Sequence, residues 1–404
     1  MHSQFLKALD RQMDLFIERS RNRHPKSLDW LFRYRPLSFA PDYLRLGRFG
    51  RTPGEARLNQ VLSALLPKVW KQVVWSRLSR QSVHFLRGKY ILPEGKQWES
   101  FFIKELNRRL EECPAVVRGA SFTDFFYFFG ECLREFSLYF NLPTDIFADQ
   151  KQKHNAYCRS IYNNIRDEIL AHPRGLELAS FLSIRANWID VVEDDLEPFF
   201  SGFLEEVNEL LDHADPLDTQ LQSNPHFHMR RFQQILTEKK HVILYELDNC
   251  GEVFFDLLLA ELLIKMGHQV ILVGKKEPVL NDVTHHDLKN LAHQAGDIPI
   301  IHAESSVAGK YLWNVSEDYK KAYRQATLLL VKGQGHFQTM PMGRRILGRF
   351  VPYPYRKPVF YMMGVKAQLI KMSLRSVFSS KHCPPDQAMF FYYFDSQLRE
   401  TFPK

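Results

Sequence analysis

Four short stretches in the second half of the chain hold the side chains best suited to chemistry. They are Asp248-Asn249-Cys250-Gly251-Glu252, Asn281-Asp282, Lys332-Gly333-Gln334-Gly335-His336 and Gly364-Val365-Lys366. Asp248, Asn249 and Asp282 offer only oxygen donors, which suit a hard divalent ion such as Mg2+ or Mn2+. Lys332 and Lys366 add positive charge, and the Gly333 to Gly335 turn offers backbone N–H groups that an anion can approach closely. A cation beside lysines and N–H donors is what phosphoryl chemistry needs, because both neutralise phosphate oxygens as charge builds. Each motif taken singly also has a structural reading. Asp-Asn after a strand is a common turn or cap, and Asp282 could simply cap the helix that follows it. It is the coincidence of four such motifs that favours a shared site.

The elements before these motifs would place them side by side. HVILYEL precedes Asp248, QVILVG precedes the segment ending in Asn281-Asp282, TLLLV precedes Lys332, and PVFYMM precedes Gly364. Between these apolar runs lie helical patterns at FFDLLLAELLIKMG, THHDLKNLAHQAG and SEDYKKAYRQA, with a further short run at IPIIHA. Strands alternating with helices of these lengths predict βαβ units and a mostly parallel sheet covered on both faces. In such a sheet, ligands bind beyond the carboxyl ends of the strands, where all four motifs fall.

Before about residue 235 the apolar spacing is helical instead, as in LNQVLSALLPKVWKQVVWSRL, NAYCRSIYNNIRDEILAH, ELASFLSIRANWIDVV and SGFLEEVNELLDH. The aromatic run at 122–140 carries charges at helical intervals and reads as a buried amphipathic helix, with no insertion into a membrane. Residues 214–229 are polar and contain Pro, Asn and Ser, so they read as a linker, with His226 and His228 as surface residues. Three regions follow: a basic helical extension over 1–150, a helical domain over 151–235 and an α/β domain over 236–404.

Bulk composition excludes several classes. The 404 residues are 45% hydrophobic and 25% charged, ordinary for a globular protein. Five scattered cysteines without a CxxC pair argue against a disulfide framework or a cysteine-built zinc site. The N-terminus spreads charge through its apolar positions and does not read as a signal peptide, so a cytoplasmic protein is expected. The net formal charge of +8 is concentrated in residues 1–100, which hold 19 Lys and Arg against 8 Asp and Glu. That segment reads as a solvated basic face, with contact to nucleic acid or an acidic protein as the alternative. A second basic stretch at 340–357, with Arg344, Arg345, Arg349 and Arg356, reads as a loop near the proposed site.

In order and spacing, LDNCGEVFFD, PVLNDVTHHD and VKGQGHF resemble the metal-dependent damage-control phosphatases, the domain of unknown function 89 family. IRANWID (184–190) and HAESSVAGKYLWNVSEDYKKAYRQA resemble further segments of that family, and the likeness covers about residues 155–375. The resemblance implies a Rossmann-like three-layer α/β/α sandwich with a helical domain folded over its active-site edge. It implies one divalent ion (Mn2+ or Mg2+, with Co2+ or Ni2+ also used) on Asp248, Asn249 and Asp282, the catalytic set. It further implies that Asn187, Glu252, Lys332, Gly333, Gly335, His336 and Lys366 surround the substrate phosphate, with Asp190 supporting the Asn187 helix. The expected substrates are small phosphorylated metabolites such as sugar phosphates. His336 stands where the family usually has Asn, and GVKAQ where relatives have Ala-Lys-Cys. Two rival functions are an S-adenosylmethionine-dependent carboxyl methyltransferase and a non-catalytic binding protein. The absence of a GxGxxG-like loop after the first strand argues against the former.

Overall fold

The computed structural model describes residues 145–395, except 146, 190–196, 214, 280, 292–296, 304–308, 311–314, 341–342, 347–348, 353–356, 367–373, 375–376, 379–380 and 386–387. The expectations for the basic extension, the aromatic run at 122–140, Asp190 and Arg356 lie outside the described residues. All described residues belong to one compact unit.

Among the described residues five helices come first: α1 (Ala148–Ala171), α2 (Gly175–Ala186), α3 (Glu197–Asp212), α4 (Asp215–Ser223) and α5 (Met229–Glu238). Alternation then begins with β1 (Val242–Glu246), α6 (Val253–Lys265), β2 (Gln269–Lys275), α7 (His285–Leu291), β3 (Ile300–Ala303), α8 (Glu317–Gln325), β4 (Leu328–Lys332) and α9 (Gly333–Thr339). A hairpin of β5 (Gly343–Ile346) and β6 (Arg349–Pro352) precedes β7 (Val359–Gly364) and β8 (Met389–Phe394). The main sheet has the order β3-β2-β1-β4-β7-β8. Its first five strands are parallel, and β8 is antiparallel to β7.

Period-two alternation sends neighbouring residues of each strand to opposite cores. Ile243, Tyr245, Leu328, Leu330, Phe360 and Met362 join one buried cluster with the apolar faces of α1 to α6. Leu244, Leu329, Val331, Tyr361 and Met363 join a second cluster with α8 and α9. Two cores on the two faces of one sheet make the three-layer α/β/α arrangement. α6 is buried from Val253 through Leu263, as a helix apolar all round must be, and packs between α1, α2 and the sheet.

Several local readings are revised. The stretch read as a linker holds α4, which opens with Asp215-Pro216, a pair suited to a helix start, and is pinned by buried Leu217. A polar nine-residue helix has too few apolar positions to show a period. Arg344, Arg345 and Arg349 lie on a β-hairpin rather than a loop. The Gly333–Gly335 segment is the first turn of α9, not an open turn. Strand β8, MFFYYF, has no visible period because both its faces are buried.

His226 is buried rather than on the surface, with its ring 5.1 Å from Phe378 and 5.8 Å from Phe390. Its segment runs along β8, with Phe391 N–H donating to His226 O and His228 N–H donating to Phe391 O, so it covers that edge. Burial, then the neighbouring His228, push the His226 imidazole down to about 4, against a hydrogen bond to the His382 backbone. The unfolded chain takes up this proton near pH 6.5. Stability from the neutral ring is therefore complete above about 6.5 and is lost as pH falls towards 4. His226→Phe, which keeps a ring among aromatics, is expected to flatten the acid limb of stability against pH in urea unfolding. An unchanged acid limb would contradict that role.

Candidate active site

The loops after β1 and β2 are stitched to each other. Val283 N–H donates to Asp248 O at 2.8 Å and Cys250 N–H to Asn281 O at 2.9 Å, forming an antiparallel bridge between Asn249 and Asp282. Lys275 N–H donates to Val283 O at 2.9 Å, which returns the second loop to its own strand. Asp282 is thereby brought to Asp248 and Asn249, from which more than thirty positions separate it in the chain.

Asp282 is not a helix cap. That task falls to Thr284 and Asp287, which make a reciprocal capping box: Thr284 N–H donates to Asp287 Oδ2 at 2.9 Å and Asp287 N–H to Thr284 Oγ1 at 3.0 Å. Glu252 occupies the N-cap position of α6, yet its carboxylate reaches back to Asn249 N–H at 2.9 Å. Gly251, at φ +83°, makes the turn between them and donates its N–H to Asn155 of α1.

Asn187 ends α2 and joins three elements. Its amide Nδ2 donates to Asp248 Oδ2 at 3.1 Å and Glu252 Oε2 at 2.9 Å, and its Oδ1 accepts from Gly364 N–H at 3.2 Å. Its carbonyl accepts from Lys366 Nζ. Gly364 must lack a side chain because the Trp188 ring would lie 2.6 Å from a Cβ there. At the end of β4, which neighbours β1, Gly333 at φ +77° has the Asp248 carboxylate packed where its Cβ would be. β1 and β4 are the strands at which the sheet order reverses direction, the position where open α/β sheets bind ligands.

Charge is concentrated here and almost wholly buried. Lys332 is fully buried, with Nζ donating to Ser183 and ion-paired to Asp256 at 3.0 Å and Glu252 at 3.7 Å. It presents charge rather than a spare N–H. Burial alone would lower its pKa, but Asp256 and Glu252 raise it above the ordinary value. Burial, then Asp282, pushes Asp248 up to about 7, and burial pushes Glu252 up to about 7 against the opposing pull of Lys332. Asp282 is raised chiefly by burial, with Lys275 opposing. His336 is buried and its pKa is driven well below the ordinary value by burial and by Lys275 and Lys310. The neutral ring donates from Nδ1 to Lys332 O at 2.8 Å and accepts at Nε2 from Lys275 Nζ at 3.2 Å.

Sequence reasoning passed over three of these residues. Lys275 closes β2 as Lys332 closes β4, a signal equal to the one that singled out Lys332. Asp256 is the lone acid in the first turns of an apolar helix, which marks it for a buried partner. Lys310 pairs with Glu246 at 2.7 Å under the same sheet edge, and burial lowers its pKa to about 8. Its surrounding sequence carries no periodicity that would have found it.

The donor set fits a divalent cation. Two buried carboxylates and one amide converge, each carboxyl is destabilised as an anion by burial, and Asp282 Oδ2 accepts no hydrogen bond, facing Lys275 Nζ as an ion pair at 3.4 Å. Among the described residues no group of three or more His, Cys, Asp or Glu side chains forms a closed cage. An ion with two carboxylates and further oxygens from solvent or substrate is the pattern of Mg2+ in phosphate chemistry.

The glycine at 333 provides a test of this packing. Gly333→Ala is expected to dislodge Asp248 and to cost about 1–3 kcal/mol in urea unfolding, from strain at positive φ and from the clash. Gly202→Ala, on α3 with nothing within 4 Å of the added methyl, is expected to gain about 0.5–1 kcal/mol. Equal effects at the two positions would contradict the arrangement.

Known proteins are similar to this chain. The family profile described as the damage-control phosphatase ARMT1-like domain matches residues 89–377, beginning within the stretch read above as an N-terminal extension. A damage-control phosphatase of Pyrococcus horikoshii is 27% identical over 233 residues, covering 56% of this chain and 69% of that protein. A damage-control phosphatase of Archaeoglobus fulgidus is 21% identical over 55% of this chain and 70% of its own length. The crystal structure of a domain of unknown function 89 protein from Pyrococcus horikoshii superposes with a TM-score of 0.56 at 19% identity, covering 82% of this chain and 97% of that one. This chain belongs to the damage-control phosphatase ARMT1-like domain family.

Proposed function

We propose that the protein is a metal-dependent phosphomonoester hydrolase acting on small phosphorylated metabolites such as sugar phosphates. The reading is carried by one observation: the bridge between Asn249 and Asp282 brings two buried carboxylates and an amide together at the β1–β4 switch point. Asp248, Asn249 and Asp282 would hold a divalent ion, which supplies Lewis-acid neutralisation of phosphate oxygens. Asn187 orients Asp248 and Glu252 through its amide hydrogens, so α2 sets the direction of the carboxylates. Lys366, at the end of β7 and only partly buried, is the ammonium best placed to meet a phosphate. Lys332 contributes fixed charge from beneath and opposes the upward push of burial on Glu252. In-line displacement at phosphorus needs little covalent help from the protein, so positioning and charge account for most of the acceleration.

The test is phosphate release from p-nitrophenyl phosphate and a panel of sugar phosphates, with Mg2+, Mn2+, Co2+ or Ni2+ and with EDTA. Release is expected to need a cation and to fall about a hundredfold or more in Asp248→Asn and Asp282→Ala. Turnover that survives EDTA, or persists in Asp282→Ala, would overturn the ligand assignment. Rapid-quench trapping of a phosphoenzyme would give Asp248 the part of nucleophile; its absence would assign attack to water.

A further inference from the structure

Lys275 ends β2 with its ammonium inside the protein. Three acceptors surround that ammonium: the carbonyl of Gly309, His336 Nε2 at 3.2 Å and Asp282 Oδ2 at 3.4 Å. A lysine has three N–H donors and no acceptor, so two hydrogen bonds and one ion pair account for the head group. Nothing is left over with which to grip a substrate.

The anchors are themselves built for this place. The bond from His336 Nδ1 to Lys332 O fixes the tautomer that leaves Nε2 as an acceptor. Gly309, at φ +89°, approaches Gly335 O so closely that no side chain could be accommodated, and Lys310 N–H donates to Thr339 Oγ1 at 2.8 Å. The Gly309 carbonyl is thereby fastened to α9 and aimed at Lys275. The apolar residues that line β2, Val270, Leu272 and Val273, show that a hydrophobic side chain would suit this strand. An ammonium buried at considerable desolvation cost therefore calls for a purpose.

We propose that Lys275 is a positioning residue, the internal counter-ion that orients and charge-balances Asp282 until a divalent cation assumes that role. The second half of this inference rests on the metal site proposed above. Lysine and cation compete for one carboxylate, so Lys275 keeps the ion exchangeable. Lys275→Met preserves length and removes charge, leaving Asp282 buried without a counter-ion. The metal-free protein loses stability and the cation gains affinity because its competitor is gone. Since binding to the folded state alone stabilises it by RT ln(1 + L/Kd) at free cation concentration L, the ion then raises stability further than in wild type.

The experiment uses the full chain after EDTA treatment, with thermal unfolding and Mn2+ calorimetry on wild type, Lys275→Met and Lys275→Met/Asp282→Asn. Lys275→Met is expected to melt below wild type without metal, to rise further than wild type on adding Mn2+, and to bind Mn2+ about tenfold more tightly. A lysine that only fills space would lower both melting temperatures equally, and that result would overturn the proposal. The metal-free cycle decides the pairing independently: neutralising both partners is expected to restore most of the stability lost in the single variant. A double variant as unstable as Lys275→Met would overturn the pairing. If Lys275→Met alone does not fold, recovery of soluble protein in the double variant supports the pairing and failure of both overturns it. Wild type without any response to Mn2+ would sink the metal-dependent reading, while the metal-free cycle would still judge the role of Lys275.

Discussion

Charges removed from water must be paired, and beneath the carboxyl edge of this sheet that requirement governs where each element goes. Lys332 ends β4 and takes Glu252 and Asp256 from α6. Lys275 ends β2 and takes Asp282 from the loop beyond it, and Lys310 takes Glu246 from the end of β1. A buried ion pair repays its desolvation only when the geometry is close and the remaining donors and acceptors are satisfied. The lysines therefore fix the height of β2 and β4 against α6 and the strand-end loops. Breaking any pair leaves a lone charge in the interior, which is far costlier than losing an exposed one.

Around this charged layer, contact is made close by leaving side chains out. Gly333 admits the Asp248 carboxylate, Gly364 admits the Trp188 ring, and Gly309 admits the Gly335 carbonyl. Three different segments converge where a Cβ would have kept them apart. Asn187 then closes the arrangement from above, since one side chain and its carbonyl contact β1, α6 and the end of β7. α2 belongs to the helices before the sheet, yet it shares its core with the sheet residues Tyr245 and Phe360. Helical and α/β parts are thus held by one hydrophobic cluster as well as by Asn187.

The same layer accounts for the electrostatic character of the site. Asp248 and Glu252 are pushed to about 7 because burial penalises their charge and neighbouring acids add to the penalty. The buried lysines Lys275, Lys310 and Lys332 are committed to internal partners, and a divalent cation would relieve the charge of the remaining carboxylates. His336 takes part as a neutral hydrogen-bonding group and adds no charge to the site.

The alternating apolar runs and the residues after them were enough to name the α/β class, the strands β1 to β4 and β7, and the motifs holding Asp248, Asn249, Asp282, Lys332 and Lys366. Those features are local, because strand alternation and strand-end chemistry are written within a few residues of each other. β8, α4 and the β5–β6 hairpin were missed: MFFYYF is an apolar run like that of β7 and was passed over, while a short polar helix shows no period. The sequence by itself determined which residue types stand at the strand ends. Only the tertiary structure decided their partners: that Thr284 caps α7 and releases Asp282, that Lys275 and Lys332 face inward, and that Lys310 reaches Glu246 across more than sixty positions. The physical reason is that pairing inside a protein depends on three-dimensional proximity and desolvation, and neither has a signature in spacing along the chain.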